Sequence, residues 1–158
     1  MLETTTEVWF YHLEQVGVED ALRELLEKTL AAGERALVRC RSAQRADELT
    51  DYLWKYDNES WLPHGAEADG FSTDQPVWLT EKVDVPNAAR FLFLIDSQDW
   101  PVDGVKPKSQ FSRILDLFDG TDGAAVTLAR ERWKAAKSDG FLLSYWQQSS
   151  EGFWSKKA

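Results

Sequence analysis

The sequence predicts an α/β fold, a three-layer α/β/α sandwich around a mostly parallel, mixed central sheet. Three observations carry that reading. Segments of strand character alternate with amphipathic helical segments, the order that builds crossover units and parallel pairing. The strand cores at Ala36–Cys40 (ALVRC) and Arg90–Ile95 (RFLFLI) are apolar almost without interruption, as in strands covered on both faces. The chain has 158 residues, enough for one core of ordinary size, and shows neither repeat nor linker. One domain over 1–148 is expected, followed by a frayed tail at 149–158.

Each element has its own justification. Glu7–Leu13 (EVWFYHL) alternates aromatic and polar residues and reads as the first strand. Val18–Ala32 places Ala21, Leu22, Leu25, Leu26 and Leu30 at helical spacing, with Glu19 and Asp20 at its start and Gly33 just past its end. Ala36–Cys40 is a short strand, and Ser42 caps a helix running to about Trp54. Lys55–Gln75 has no sustained period and reads as a long loop. Val77–Thr80 and Arg90–Ile95 are strands, Asp96–Lys108 a second loop, and Arg113–Phe118 (RILDLF) a strand, although ILDLF could also close a short helix. Two Asp-Gly pairs, Asp119–Gly120 and Asp122–Gly123, then turn the chain. Ala124–Lys137 is the clearest helix, and Phe141–Trp146 (FLLSYW) closes the domain as a strand.

Composition narrows the function. A net charge of −9 argues against general nucleic-acid binding, which needs a broad basic surface. The single cysteine, Cys40, excludes an intrachain disulfide and a Cys-based zinc site, and within a strand it reads as a small core residue. His12 and His64 lack metal-ligand spacing, and His64 fits a loop or hydrogen-bonding role. There is no phosphate-binding glycine motif and no G-x-S-x-G elbow. No apolar run approaches a membrane span, and Met1–Glu7 lacks a basic, apolar leader, so a soluble cytoplasmic protein without cofactor or metal is expected.

Two features stand out. Eight tryptophans are several times the usual share, and Val126–Ser138 holds Arg130, Arg132, Lys134 and Lys137 against Glu131 alone. At 100° per residue, Arg130, Lys134, Lys137 and Trp133 share one arc of the helix. Leu128, Ala125, Ala129, Ala135 and Ala136 fall on the opposite side, a narrow buried face. Arg132 falls among them and should be paired with a carboxylate. A guanidinium fork, two ammonium groups and an indole form a receptor for an acidic peptide carrying an apolar side chain or a terminal carboxylate. The same residues also fit a solvated basic face with Trp133 covering the core edge.

The block Leu128-Ala129-Arg130-Glu131-Arg132-Trp133-Lys134, followed by Gly140-Phe141 and a closing strand, resembles the C-terminal signature of the chi subunit of bacterial DNA polymerase III. The resemblance extends to Trp9-Phe10-Tyr11, Arg35-Ala36-Leu37-Val38, and Leu53-Trp54 followed by Ser60-Trp61-Leu62-Pro63-His64. It implies a Rossmann-like fold without a phosphate loop and a non-catalytic accessory subunit of the clamp-loader complex. The implied partner is the acidic C-terminal tail of single-stranded-DNA-binding protein, with the psi subunit as a second partner where one exists. Carried over residue by residue, the tail site comprises Arg130, Trp133 and Lys134, with Lys137 on the same arc. A family lysine one turn earlier corresponds to Val126. Trp54 and Trp61 are candidates either for contact with psi or another partner, or for core packing. A monomer alone, or a heterodimer with psi, is expected.

Two other readings follow from the residues. Asp96, Asp116 and Asp119 lie at strand ends where Mg²⁺-dependent phosphoryl chemistry gathers in parallel sheets. A tryptophan-rich surface could also stack single-stranded bases, against the sign of the net charge.

Overall fold

A computed structural model describes residues 5–55, 62–96, 106–107, 109–149, 151 and 153–158. Its elements are β1 (Glu7–Leu13), α1 (Val18–Ala31), β2 (Ala36–Arg39), α2 (Ala43–Lys55), β3 (Gly65–Ala66), a 3-10 turn (Glu67–Asp69), β4 (Val77–Thr80), β5 (Phe91–Ile95), β6 (Arg113–Asp119), α3 (Gly123–Ser138), β7 (Leu142–Gln148) and β8 (Trp154–Lys156). The strands form one sheet in the order β3-β4-β2-β5-β6-β1-β7-β8. All neighbours are parallel except the β7–β8 pair, so the sheet is mostly parallel and mixed, as expected.

Local chemistry sets the helix ends. Gly33 stands at φ 79°, and the amides of Gly33 and Glu34 donate to the carbonyls of Leu30 and Thr29, closing α1 in a Schellman motif. The Ser42 hydroxyl accepts from the Arg45 amide at 3.1 Å, capping α2. Alternation along the strands splits the core in two. Leu13, Val38, Phe93, Leu115 and Leu117 pack under α1 and α2. Val8, Phe10, Leu92, Ile114 and Phe118 face α3.

Two expectations are corrected. The loop over Lys55–Gln75 holds β3 and the 3-10 turn, because Gly65 and Ala66 pair with Trp78 and Leu79 and so extend the sheet. The tail expected to fray instead returns as β8, whose Trp154, Ser155 and Lys156 pair with Gln148, Gln147 and Trp146. Neither strand exceeds three residues; pairing rather than local preference creates them.

Candidate functional site

The basic helix is built and held by residues of both kinds. Asp122 takes an extended conformation and its carboxylate accepts from the Ala124 amide at 3.0 Å, starting α3. The helix crosses β1, β6 and β7. Fully buried Ala129 and Ala136 bring its backbone close to the sheet. Between them Arg132 donates through Nε and Nη2 to the Asp116 carboxylate at 2.7 and 2.8 Å. Both side chains are almost wholly buried, at 3% and 0% exposure, so the pair expected for Arg132 fastens α3 to β6. Burial pushes the Asp116 carboxyl above its ordinary range, and the two bonds from Arg132 oppose that shift.

The buried stripe lies further round the helix than the sequence suggests. Leu128, expected inside, is 38% exposed, whereas Val126 and Trp133 pack against the core edge. Arg132 has to reach Asp116, which turns the face toward Trp133 and leaves Leu128 at the rim.

On the outer face Arg130, Lys134 and Lys137 are all exposed. Neither Arg130 nor Lys137 has an ion-pair partner among the described residues, and Lys134 has only a 3.7 Å surface contact with Glu131. Beside them the half-buried Trp133 sits edge-on to Phe10 and Tyr145, with ring centroids at 5.5 and 5.8 Å. The Tyr145 hydroxyl shares a 2.8 Å hydrogen bond with His12 Nδ1, and His12 Nε2 lies 3.1 Å from a Glu14 carboxylate oxygen. Burial raises the Tyr145 phenol above its usual range, and the positive charge of Arg130 works against that rise. Trp133 and Arg130 thus stand against an aromatic step, Phe10 and Tyr145, that no local sequence signal shows. Phe10 and Tyr145 stand side by side only through the β1–β7 register.

The other candidates lie elsewhere. Trp54, on the last turn of α2, is 49% exposed and its ring lies 4.4 Å from that of His64. His64 is buried, its two ring nitrogens 2.7 and 3.1 Å from the carbonyls of Leu62 and Thr50. That arrangement ties the chain after α2 back to the helix, the hydrogen-bonding role expected of it. Trp61 lies outside the described residues.

The three aspartates do not converge. Asp116 is spent on Arg132 beneath α3. Asp96 accepts from Arg45 Nε at 2.7 Å, and Asp119 accepts from the Thr121 amide and hydroxyl at 2.9 and 2.6 Å. Asp96 and Asp119 line a cleft of about 420 Å³ beyond the ends of β1, β5 and β6, where a doubly wound sheet would bind a nucleotide. Here that cleft also carries Glu14 and Glu19, and Glu19 stands in the first turn of α1, where a phosphate would need the helix dipole. The lining repels an anionic ligand. No cluster of three or more metal-binding side chains occurs among the described residues.

A family model described as DNA polymerase III chi subunit, HolC, matches residues 5–144. The chain belongs to the DNA polymerase III chi subunit family. The match covers the sheet from β1 to the start of β7 and all three helices; β8 lies beyond it. The chain is 26% identical over 153 residues to the probable DNA polymerase III subunit chi of Rickettsia prowazekii, covering 94% of this chain and 90% of that one. It is 29% identical over 130 residues to DNA polymerase III subunit chi of Haemophilus influenzae, covering 80% and 85% of the two chains. With the Escherichia coli subunit the identity is 28% over 131 residues, covering 81% and 84%. As a chi-family member the chain is an accessory subunit of a replicative polymerase. No helix among the described residues is long and apolar enough to cross a membrane.

Proposed function

We propose that this protein is a non-catalytic cytoplasmic adaptor of the DNA polymerase III clamp-loader complex. Its α3 face holds the acidic C-terminal tail of single-stranded-DNA-binding protein. The observation that carries this reading is the exposed Arg130 guanidinium, without an ion-pair partner among the described residues, set beside the Trp133–Tyr145 step. Arg130 receives the terminal carboxylate as a fork, Lys134 and Lys137 face the preceding acidic residues, and the indole edge walls the terminal apolar side chain. Tyr145 extends that wall. Val126 supplies packing where the family places a further lysine, so Lys137 takes up part of the charge. The exposed Trp54 is the surface offered to psi or to another partner. Several tails per oligomer of the coating protein make a modest single-site affinity sufficient for retention on covered DNA.

Calorimetric titration with a peptide of acidic residues ending in Ile-Pro-Phe tests the site. Saturable binding that disappears on amidating the peptide's end or in Arg130→Ala is expected. Equal binding by wild type and Arg130→Ala would remove the assignment.

A further inference from the structure

The sheet face opposite α3 has an opening that follows from the topology. From β1 the chain leaves through α1, which packs over β6 and β2, while β7 and β8 extend the sheet in the other direction. Beside α1 that face is lined by aromatic side chains: the half-buried Trp9 from β1, Trp146 from β7 and Trp154 from β8, with the buried Tyr11 of β1 among them. Trp9 and Trp146 lie 5.2 Å apart at 31°, and Trp154 stands edge-on to Tyr11 at 5.2 Å. With Arg113 and Lys28 they line an open groove of about 320 Å³, the lower end of the range that holds small ligands, roughly 300–1,000 Å³. This groove is separate from the α3 face and from Trp54.

The chemistry of the groove is one-sided. In a chain of net charge −9, its lining contains two cations and no carboxylate among the described residues. The Arg113 guanidinium lies 3.8 Å from the centre of the Trp9 ring. Arg113 reaches Glu7 only at 3.4 Å, and Lys28 reaches Glu24 at 3.4 Å across exposed surface. Three buried donors of this wall, Trp9 Nε1, Trp146 Nε1 and Arg113 Nε, have no acceptor among the described residues. Buried donors are normally paired, so the described residues leave this wall incompletely satisfied. Two partly compensated cations are too few to hold a phosphate backbone.

We propose that this groove docks a peptide segment of a partner protein, with a large apolar side chain against the indoles and a carboxylate beside Arg113 and Lys28. The segment's apolar side chain covers the exposed parts of the indoles, and its carboxylate answers the two cations, which meet no acid within the groove's described lining. The proposal is independent of tail binding, because the two sites lie on opposite faces of the sheet.

The test follows the indole N–H signals of the isotope-labelled full chain by NMR during titration with acetyl-Asp-Leu-Phe-Asp-amide. The amide end withholds the terminal carboxylate that Arg130 would seek. The Trp9 and Trp146 signals should move and that of Trp133 should not. Arg113→Gln should weaken binding about tenfold, and Lys28→Glu, at an exposed site that leaves the fold intact, about threefold. Arg130→Ala should leave it unchanged. Still Trp9 and Trp146 signals at millimolar peptide would overturn the proposal, as would unchanged affinity in Lys28→Glu. Preference for an oligothymidylate over the peptide, or self-association of the chain that hides these signals, would do the same.

Discussion

Strands β1 and β7 send aromatic side chains to both faces of the sheet, and the two faces are finished differently. Phe10 and Tyr145 lie beneath a helix, so the outer layer above them consists of the charges on α3. Trp9 and Trp146 are only half-buried beside α1, whose Leu25 and Lys28 line the same groove, so there the aromatic layer itself reaches the surface. Each face nonetheless sets an arginine beside a tyrosine, Arg130 near the half-buried Tyr145 and Arg113 near the buried Tyr11. One pair of strands therefore supports a charged surface with an aromatic edge on one face and an aromatic surface with a charged edge on the other. Whether a helix lies over these strands or only alongside them decides which.

The largest expected effect removes the fastening of that helix. Arg132→Ala leaves Asp116 buried and uncompensated, and breaking such a pair costs about 3–5 kcal/mol. Urea denaturation should report that loss. At urea concentrations where the variant is still folded, peptide binding on α3 should suffer more than any signal from the opposite face. Equal damage to both would mean that the faces are not independent.

Next is Arg130→Ala, which should cost about 2–4 kcal/mol in affinity for the tail peptide, much of it from leaving the ligand's carboxylate unpaired. Because Arg130 is exposed and has no ion-pair partner among the described residues, its removal should change folding stability by less than about 0.5 kcal/mol. Calorimetry and denaturation of the same variant separate the two quantities. Lys134→Gln and Lys137→Gln should each cost about 1 kcal/mol or less in affinity, and the loss should shrink as salt is added. A salt-independent loss at Lys137 would mean that it touches the ligand in a dry contact rather than acting as a point charge.

Much of this architecture was legible from local signals. The apolar runs of β2 and β5, the Schellman glycine of α1 and the Ser42 cap act over a few residues, and each stands where expected. So does the basic arc on α3. What was not legible depends on pairing across the sheet. Asp116 reads in sequence as a strand-end acid available to a metal; only the alternation of β6, which turns Leu115 and Leu117 one way and Asp116 the other, puts it under Arg132. Tyr145 becomes part of the α3 site because it faces Phe10 in the β1–β7 register. The groove depends on β8, a three-residue strand with no local signature, in a tail that sequence reading expected to fray.

The smallest effect compares the two tyrosines directly. Burial raises the Tyr11 phenol from 10.0 to about 12, and the positive charge of Arg113 opposes that rise. Between those values the unfolded chain has released the proton and the folded chain retains it, so the folded state binds more protons. The Tyr11 contribution to stability is therefore fully present below pH 10 and is lost as pH rises toward about 12. Burial also raises the Cys40 thiol to about 12, which adds a slope of the same sign. The Tyr11 share is the part of the slope that Tyr11→Phe removes from alkaline urea titrations. Removing the neighbouring cation should act oppositely to removing the tyrosine. Arg113→Gln should push Tyr11 higher still, and Arg130→Ala should do the same to Tyr145, each visible in phenolate absorbance. If either substitution leaves its tyrosine where it was, the arginine on that face is held by groups other than the aromatic step. The symmetry of the two sites would then fail on that face alone.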